Sequence, residues 1–308
     1  MQGHSERPKN LPKSNYTEPP VNVADADLSQ KVTQPGAIKH KDQVNLGAFR
    51  QFDPEDLPQH FSMLFVAPRG SGKTVALRHI LYKIKGRFKK AYLFSQTASF
   101  QEGAYDYIPA QNIFNGFDEF ALRDIVNKNK EILTRNKSLP KKLRIDNPVL
   151  VVLDDVVTDK AMQTSETLKS LFTLGRHIHI SVVILLQNIS SRDGMSTICR
   201  KNVDCFFGWS THDALSREMI SESFASIINK KEGMCVLSAI CEEQPYQACV
   251  CLLRNKKHGK SPINRYEDYI YKYLAPAKPC RPYKIGTKQD IQKSKVTRVP
   301  NEGRGFQF

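Results

Sequence analysis

The chain has 308 residues, of which 40% are hydrophobic and 25% are charged, and this balance is typical of a globular protein. No stretch approaches the roughly 18 consecutive apolar residues that a membrane-spanning helix needs, and the polar, proline-containing start does not resemble a secretory signal. The formal net charge of +15 favours partners that are polyanions.

Three regions of different composition follow one another along the chain. Residues 1–45 combine Pro, Lys, Asp, Asn and Gln without apolar periodicity, which predicts a disordered N-terminal tail. Residues 46–254 alternate apolar runs with helix-like segments, which predicts one α/β domain with a mainly parallel central sheet. Residues 255–308 are predicted to be a basic C-terminal extension, because the stretch from Arg254 to Phe308 holds 14 Lys or Arg and 4 Asp or Glu.

Apolar runs and helical spacing predict the elements of the central domain. The largely apolar runs, typical of strands covered on both faces, are Met63–Ala67, Ala91–Phe94, Val149–Leu153, Ser181–Leu186 and Asp204–Trp209. Helices are predicted over Lys73–Lys85, Phe117–Leu133, Ser165–Leu174 and His212–Ile228. Late in the domain, Met234–Ile240 and Tyr246–Leu253 are predicted to pair as a β-hairpin.

The seven cysteines fall between Cys199 and Cys280, without regular spacing and without a C-x-x-C pair. An odd number with no pattern favours a reducing compartment over a disulfide framework. Buried free thiols on strands are the simpler expectation. A zinc site built from distant cysteines stays open, although structural zinc sites usually show close ligand pairs.

A glycine-rich turn stands between the first predicted strand and the first predicted helix, which is the context that a Walker A phosphate loop requires. Glycines let the backbone turn tightly and point several N–H groups into one concavity, and the helix adds its positive amino-terminal end. Lys73 is predicted to reach the β- and γ-phosphates of ATP, and the Thr74 hydroxyl to hold Mg²⁺. The first position of the G-x-x-x-x-G-K-[ST] pattern is Ala67, which can close the turn if its backbone needs no positive φ. The predicted nucleotide-binding residues are Ala67, Pro68, Arg69, Gly70, Ser71, Gly72, Lys73 and Thr74.

Two acidic residues end the apolar run Val149–Leu153 and resemble a Walker B motif. A carboxylate at the carboxyl end of a parallel strand faces the nucleotide crevice. Asp154 is therefore predicted to bind Mg²⁺, directly or through water, and Asp155 to act as the general base that activates the attacking water. Many such motifs carry Glu at the second position, so the shorter Asp155 departs from the pattern.

A third pattern, Gly175-Arg176-His177, precedes the predicted strand Ser181–Leu186, and Gln187 follows that strand. Gln187 is predicted to contact the γ-phosphate or the attacking water from a neighbouring strand, although a polar strand terminus is an equal alternative. Arg176 is predicted to supply positive charge to a phosphate across a subunit boundary. A solvated cation at a helix end is the alternative for Arg176.

The order of these motifs resembles the FtsK–HerA superfamily of DNA-pumping ATPases, and within it the genome-packaging ATPases of poxviruses and other large or membrane-containing DNA viruses. The stretch Leu171–Gln187 carries most of this specificity, and the resemblance covers roughly Phe61 to Trp209. It implies a RecA-like (ASCE-type) P-loop ATPase fold for the domain at residues 46–254, which also contains the predicted C-terminal β-hairpin and is flanked by the polar tails. It also implies an additional strand between the Walker A and Walker B strands, for which Ala91–Phe94 is the candidate.

The resemblance implies an ATPase that uses ATP and Mg²⁺ to move double-stranded DNA, working as a ring-shaped homo-oligomer, commonly a hexamer. Gln187 would take the sensor position, and Arg176 would match the arginine that family members present to a nucleotide at a subunit interface. The implied function is packaging of a viral genome into a capsid, inside the host cell at the site of virion assembly. A capsid or portal protein would be a further partner. The implied catalytic residues are Lys73, Asp155, Gln187 and Arg176, and the implied metal ligands are Thr74 and Asp154.

Basic residues offer candidate contacts to DNA phosphates, which ring ATPases grip through Lys and Arg, although each group taken alone is more typical of a solvated face. The first group consists of Lys83, Lys85, Arg87, Lys89 and Lys90. The second consists of Lys128, Lys130, Arg135, Lys137, Lys141, Lys142 and Arg144. The third consists of Arg254, Lys256, Lys257 and Lys260, followed by Tyr266, Tyr269, Tyr271 and Tyr273.

Competing functions would leave different marks on the sequence. The nuclease of a tailed-phage terminase needs clustered carboxylates, and only four acids follow Arg254. A GTPase would usually show N-K-x-D after the Walker B strand, and this sequence has no such motif there. A nucleoside kinase would share the phosphate loop but would not explain the net charge. Two alternatives stay open: a cellular or plasmid-transfer ATPase of the same superfamily, and a non-catalytic, nucleotide-gated DNA-binding scaffold.

Overall fold

The computed structural model describes residues 40–156, 160–189, 195–211, 213–225, 229–254 and 265–296. The strands in these ranges are β1 (Ser62–Val66), β2 (Lys90–Ser95), β3 (Ile113–Phe114), β4 (Val149–Asp154), β5 (Ile180–Leu186), β6 (Cys205–Gly208), β7 (Ala248–Leu252) and β8 (Ile270–Tyr273). The α-helices are α1 (Lys73–Ile84), α2 (Glu119–Lys137), α3 (Lys160–Thr164), α4 (Glu166–Leu174), α5 (Thr197–Lys201), α6 (Ala214–Ile220), α7 (Lys230–Glu243) and α8 (Lys288–Val296). Most of the predicted N-terminal tail and part of the predicted C-terminal extension lie outside the described residues.

One sheet joins all these strands in the order β3-β2-β4-β5-β1-β6-β7-β8. The strands from β3 to β6 are paired in parallel, and β7 and β8 add two antiparallel pairings at one edge. This arrangement confirms the predicted α/β class with a mainly parallel central sheet.

The strand between β1 and β4 is β5, and our assignment of Ala91–Phe94 to that place is wrong. β2, which contains Ala91–Phe94, borders β4 on its other side. Both β2 and β5 are largely apolar and buried, so their composition does not reveal which strand each one pairs with. The order that results places the carboxyl ends of β1, β5 and β4 side by side.

Side chains of the central strands alternate between two apolar layers, as the period of two in a strand requires. In β1, Leu64 and Val66 face one layer, whereas Met63 and Phe65 face the other. The first layer includes buried residues of α2, α4 and α7, and the second includes the buried face of α1. Because apolar layers pack on both faces of the sheet, the ends of the central strands are held in fixed positions.

Polar side chains define the starts of several helices, because they accept hydrogen bonds from backbone N–H groups that the first helical turn leaves free. Asp118 accepts from the Ala121 N–H at the start of α2, and Ser165 accepts from the Leu168 N–H at the start of α4. Asn229 accepts from two N–H groups at the start of α7.

The predicted β-hairpin is wrong in its first strand, because Met234–Ile240 lies within α7. Val236, Leu237 and Ile240 are buried on one side of this helix, and their spacing is helical. The second strand was correctly predicted and is β7, whose antiparallel partners are β6 and β8.

The segment assigned to the basic C-terminal extension contributes β8 to the sheet and buries its aromatic rings. Tyr266, Tyr269, Tyr271 and Tyr273 are all buried, so these rings are not available as exposed contacts to DNA. Their alternation with basic residues suggested exposure. The rings instead pack into the two apolar layers, on either side of the strand.

The seven cysteines are free thiols, and Cys205, Cys249 and Cys251 are buried on strands. Within the described ranges, no group of three or more His, Cys, Asp or Glu side chains is arranged to hold a metal ion. The helices of these ranges also fall short of the length and apolar content that crossing a membrane requires.

Candidate nucleotide site

The glycine-rich loop connects β1 to α1, and two of its glycines have backbone angles that favour glycine. Gly70 has φ of 75° and Gly72 has φ of 89°, in the region where other residues meet a steric penalty. Ala67 does not share this conformation, and its N–H donates to the Leu186 carbonyl at 3.1 Å. Alanine therefore replaces the first glycine of the pattern without backbone strain.

Lys73 lies on the first turn of α1, and its side chain folds back over the loop. Its Nζ donates to the carbonyl oxygens of Ala67 and Pro68, the second at 3.0 Å. Burial lowers the pKa of Lys73, whereas the nearby carboxylates of Asp154 and Asp155 act in the opposite direction. The ammonium group thus lies close to both the loop and the two acids at the end of β4.

The two acids differ in environment. Asp154 is the last residue of β4 and only 7% exposed, and burial raises the pKa of its carboxyl group. Asp155 follows the strand with φ of 55°, a conformation that Asp and Asn adopt more readily than most residues. Gln187 donates from Nε2 to Asp155 Oδ1 at 2.8 Å, which joins the ends of β4 and β5.

Tyr105 is a site residue that the sequence did not reveal. Its hydroxyl donates to Asp154 Oδ2 at 2.6 Å, and its side chain is 4% exposed. Burial and the adjacent Asp154 raise the pKa of Tyr105, so the hydroxyl keeps its proton and remains a donor. No motif marks this tyrosine, which reaches the site from the long connection between β2 and β3.

Lys73, Asp154, Asp155 and Gln187 line one open cleft of about 590 Å³ at the carboxyl ends of the strands. Thr74 and Asp154 both line it and offer hydroxyl and carboxylate oxygens, which are the donors that Mg²⁺ prefers. The loop glycines and the start of α1 face the same space, and they suit a phosphate group. The chemistry of the donors therefore fits a magnesium–triphosphate complex. The lining residues are Arg69, Gly70, Ser71, Gly72, Lys73, Thr74, Val75, Thr97, Phe100, Gln101, Asp154, Asp155, Leu185 and Gln187.

Arg176 is not part of this cleft. It is exposed and lines a second cavity, of about 300 Å³, together with Ser62, Ile180 and Asp204, which lie at or next to the amino ends of β1, β5 and β6. Strand β1 has five residues and spans about 16 Å. The structure thus brings Lys73, Asp154, Asp155 and Gln187 together at the carboxyl ends of the strands. It places Arg176 at the opposite ends of these strands, the amino ends.

Several viral proteins are similar to this chain. Protein 088R of Invertebrate iridescent virus 3 is 24% identical over 241 residues, which cover 76% of this chain and 82% of that protein. Protein L437 of Acanthamoeba polyphaga mimivirus is 20% identical over 256 residues, which cover 82% of this chain and 85% of that protein. Among solved structures, the genome packaging NTPase B204 from Sulfolobus turreted icosahedral virus 2 is similar with a TM-score of 0.46 and 12% identity, over 73% of this chain and 100% of that chain.

The sequence profile of the family described as Poxvirus A32 protein matches residues 49–257, which is more than half of the chain. The match includes the glycine-rich loop, both acids at the end of β4 and Gln187. It confirms the predicted resemblance to viral genome-packaging ATPases of the FtsK–HerA superfamily. The chain belongs to the Poxvirus A32 protein family, a family of packaging ATPases.

Proposed function

We propose that this protein is an ATP-driven double-stranded DNA translocase that packages a viral genome into a capsid. The observation that carries the proposal is the convergence of Lys73, Asp154, Asp155 and Gln187 on one cleft beside a glycine-rich loop. Membership of a packaging ATPase family supports the same role. The two activities that go beyond this support are hydrolysis of ATP and movement along DNA.

The site residues divide the chemistry of hydrolysis between them. The loop N–H groups and Lys73 would bind the phosphates, and Thr74 and Asp154 would hold Mg²⁺, which would supply positive charge to offset that of the phosphates. Asp155 accepts a proton from the attacking water as the water oxygen bonds to the γ-phosphorus, and ADP departs with the bridging oxygen. The hydrogen bond from Gln187 keeps the Asp155 carboxylate pointed at that water.

The candidate DNA contact lies between Lys130 and Arg144, at the end of α2 and in the connection to β4. Its basic side chains are all exposed, and none forms an ion pair with a carboxylate of the described residues. Lys and Arg that meet phosphates in this way bind DNA without reading its sequence. The six residues are Lys130, Arg135, Lys137, Lys141, Lys142 and Arg144.

This contact gives DNA binding a steep dependence on salt. If all six side chains contact phosphates, affinity falls on the order of a thousandfold between about 50 and 200 mM salt, because bound counterions are released. The double variant Lys141→Ala/Lys142→Ala weakens binding to every duplex sequence and reduces the salt slope by about two. An unchanged affinity between low and high salt would contradict the contact.

The position of Arg176 suits a ring. Arg176 lies at the amino ends of the strands, away from the cleft of its own subunit. It therefore reaches a nucleotide only if that nucleotide belongs to a neighbouring subunit. A head-to-tail interface of this kind closes into a ring, and we favour a hexamer around the duplex. The viral origin of the relatives supports action inside the host cell at the site of virion assembly, with a capsid or portal protein as a further partner.

The test of the proposed function is ATP hydrolysis by the full chain, measured with and without long double-stranded DNA. We expect hydrolysis that requires Mg²⁺ and increases when DNA is added. Lys73→Ala is the matched control, because removal of the ammonium group abolishes turnover while the buried face of α1 keeps its residues. DNA binding without any hydrolysis would instead identify a nucleotide-gated scaffold, and full turnover by Lys73→Ala would remove the site assignment.

A further inference from the structure

The two acids and the glutamine proposed for hydrolysis all lie on one side of the phosphate loop. Asp154 ends β4, Asp155 follows it and Gln187 follows β5, and both strands lie on one side of β1. On the other side of β1 lie β6 and β7. A triphosphate whose terminal phosphate faces the acids extends away from them along the loop, so its nucleoside emerges on the side of β6 and the first turn of α1.

An exposed aromatic ring occupies that side. Tyr246 precedes β7, and its Cδ1 lies 3.7 Å from the position that a Cβ on Gly72 would take. The residue is 66% exposed, so the ring lies beside the loop while much of its surface remains open. An open aromatic face next to a phosphate loop offers a stacking surface for a planar base.

The backbone of Tyr246 is held in a conformation that tyrosine rarely adopts. Residues Gln244, Pro245, Tyr246 and Gln247 form a turn in which the Gln247 N–H donates to the Gln244 carbonyl at 3.2 Å. Tyr246 is the third residue of the turn, with φ of 64°. With proline before it, this position belongs to a type II turn and ordinarily carries glycine or asparagine. A tyrosine at such a position indicates that its side chain has a use.

The turn is anchored to the core of the sheet. Trp209, which follows β6, donates from Nε1 to the Tyr246 carbonyl oxygen at 2.9 Å. Trp209 is 3% exposed, and its ring stacks on Phe65 of β1 with a centroid distance of 5.8 Å. The backbone N–H of Trp209 also donates to the Val66 carbonyl at 3.2 Å, next to the start of the loop. Tyr246 is therefore fixed to the same strand end that carries the phosphate loop.

We propose that Tyr246 is the stacking platform for the base of the bound nucleoside triphosphate. This inference rests on the proposed function, since it assigns the nucleoside half of the same site. Stacking recognises the flat face of a purine and does not read its edge. The platform consequently adds affinity for ATP without selecting adenine over guanine.

The test compares ATP with inorganic tripolyphosphate, which shares the phosphate chain but has no base. Affinities for both are measured by competition with a fluorescent nucleotide, using the wild-type full chain, Tyr246→Gly and Tyr246→Phe. Glycine suits the positive φ and removes the ring, whereas phenylalanine retains the ring. We expect Tyr246→Gly to bind ATP about tenfold more weakly and tripolyphosphate unchanged, and Tyr246→Phe to match the wild type for both.

A matched control is Phe120→Ala, which removes another exposed aromatic ring, on α2 and outside the residues that line the cleft. This control should leave both affinities unchanged. Wild-type affinity for ATP in Tyr246→Gly would overturn the platform, and so would an equal loss of ATP and tripolyphosphate. A wild-type chain that binds neither compound would overturn the proposed function itself, which makes the two failures distinguishable.

Discussion

Asp155 combines an unusual backbone conformation with a hydrogen bond across two strands. Its φ of 55° places it in the left-handed region, and Gln187 holds Oδ1 of its carboxylate. Asparagine tolerates the same backbone region and keeps an oxygen acceptor, but it cannot take a proton from water. The exchange of one for the other therefore isolates the chemistry from the geometry.

We expect Asp155→Asn to reduce ATP turnover by about a hundredfold or more, which is the usual contribution of a general base. ATP affinity and the thermal unfolding midpoint should stay close to those of the wild type, because the hydrogen bond and the fold remain. Single-turnover hydrolysis and equilibrium binding separate the two effects. Turnover at the wild-type rate would assign the base to another residue.

Tyr105 orients a proposed magnesium ligand without being a ligand itself. Removal of its hydroxyl frees Asp154 Oδ2 from a hydrogen bond of 2.6 Å, and loss of such supporting contacts commonly weakens a metal site about 10- to 100-fold. We expect Tyr105→Phe to raise the Mg²⁺ concentration for half-maximal hydrolysis by about tenfold. A magnesium titration of the variant measures this change. Tyr92→Phe, which removes a hydroxyl on the same sheet outside the cleft residues, should leave the titration unchanged.

Residues within contiguous motifs could be predicted, and residues that meet only after folding could not. Lys73 and Thr74 stand in a local pattern whose spacing reflects the loop itself, and Asp154 ends a visible apolar strand. Tyr105 and Tyr246 reach the site from distant connections. Their positions depend on the sheet order and on a turn anchored by Trp209, neither of which has a local signal.

Helix α7 packs so closely against the preceding segment Ser221–Ala225 that position 233 of the helix requires glycine. A Cβ on Gly233 would overlap the carbonyl group of Ala225, which is backbone and cannot rotate away. Gly86, in the short turn Lys85–Arg87 after α1, offers a control, since no heavy atom of the described residues lies within 4 Å of its added Cβ.

We expect Gly233→Ala to reduce the free energy of unfolding by about 1–3 kcal/mol, the usual effect of overpacking, and Gly86→Ala to leave it nearly unchanged. Thermal or urea unfolding of the two variants measures the difference. Equal stability of both would mean that the contact between α7 and Ala225 is looser than the structure shows.

Some elements of the fold have a clear signal in the sequence, and others do not. Strands β1, β4 and β5 are continuous apolar runs bounded by polar residues, so their composition was sufficient. The segment Met234–Ile240 is also apolar, and its buried residues recur at helical spacing. The sequence predicts a strand there because a hairpin with β7 supplies a pairing partner. β8 was missed, since its tyrosines alternate with charged residues in a stretch whose basic composition suggested an exposed tail.

In the whole molecule, Arg176 lies apart from the cleft, so the proposed role of Arg176 predicts that activity depends on neighbouring subunits. Arg176→Ala and Lys73→Ala should each be inactive alone. In a mixed ring, an intact Lys73 can face an intact Arg176 at about a quarter of the interfaces of an equal mixture. Hydrolysis should therefore recover to about that fraction of the wild-type rate. If no mixing ratio restores hydrolysis, Arg176 does not act across the interface.

Packaging finally requires that hydrolysis move the protein along a duplex. The direct measurement is displacement of a third DNA strand bound at one end of a long linear duplex, followed over time with ATP and Mg²⁺. The wild-type chain is predicted to release the third strand, and Lys73→Ala, at the same DNA occupancy, is predicted to leave it in place. A wild-type chain that hydrolyses ATP on this DNA and never displaces the strand would show that hydrolysis does not drive movement along the duplex.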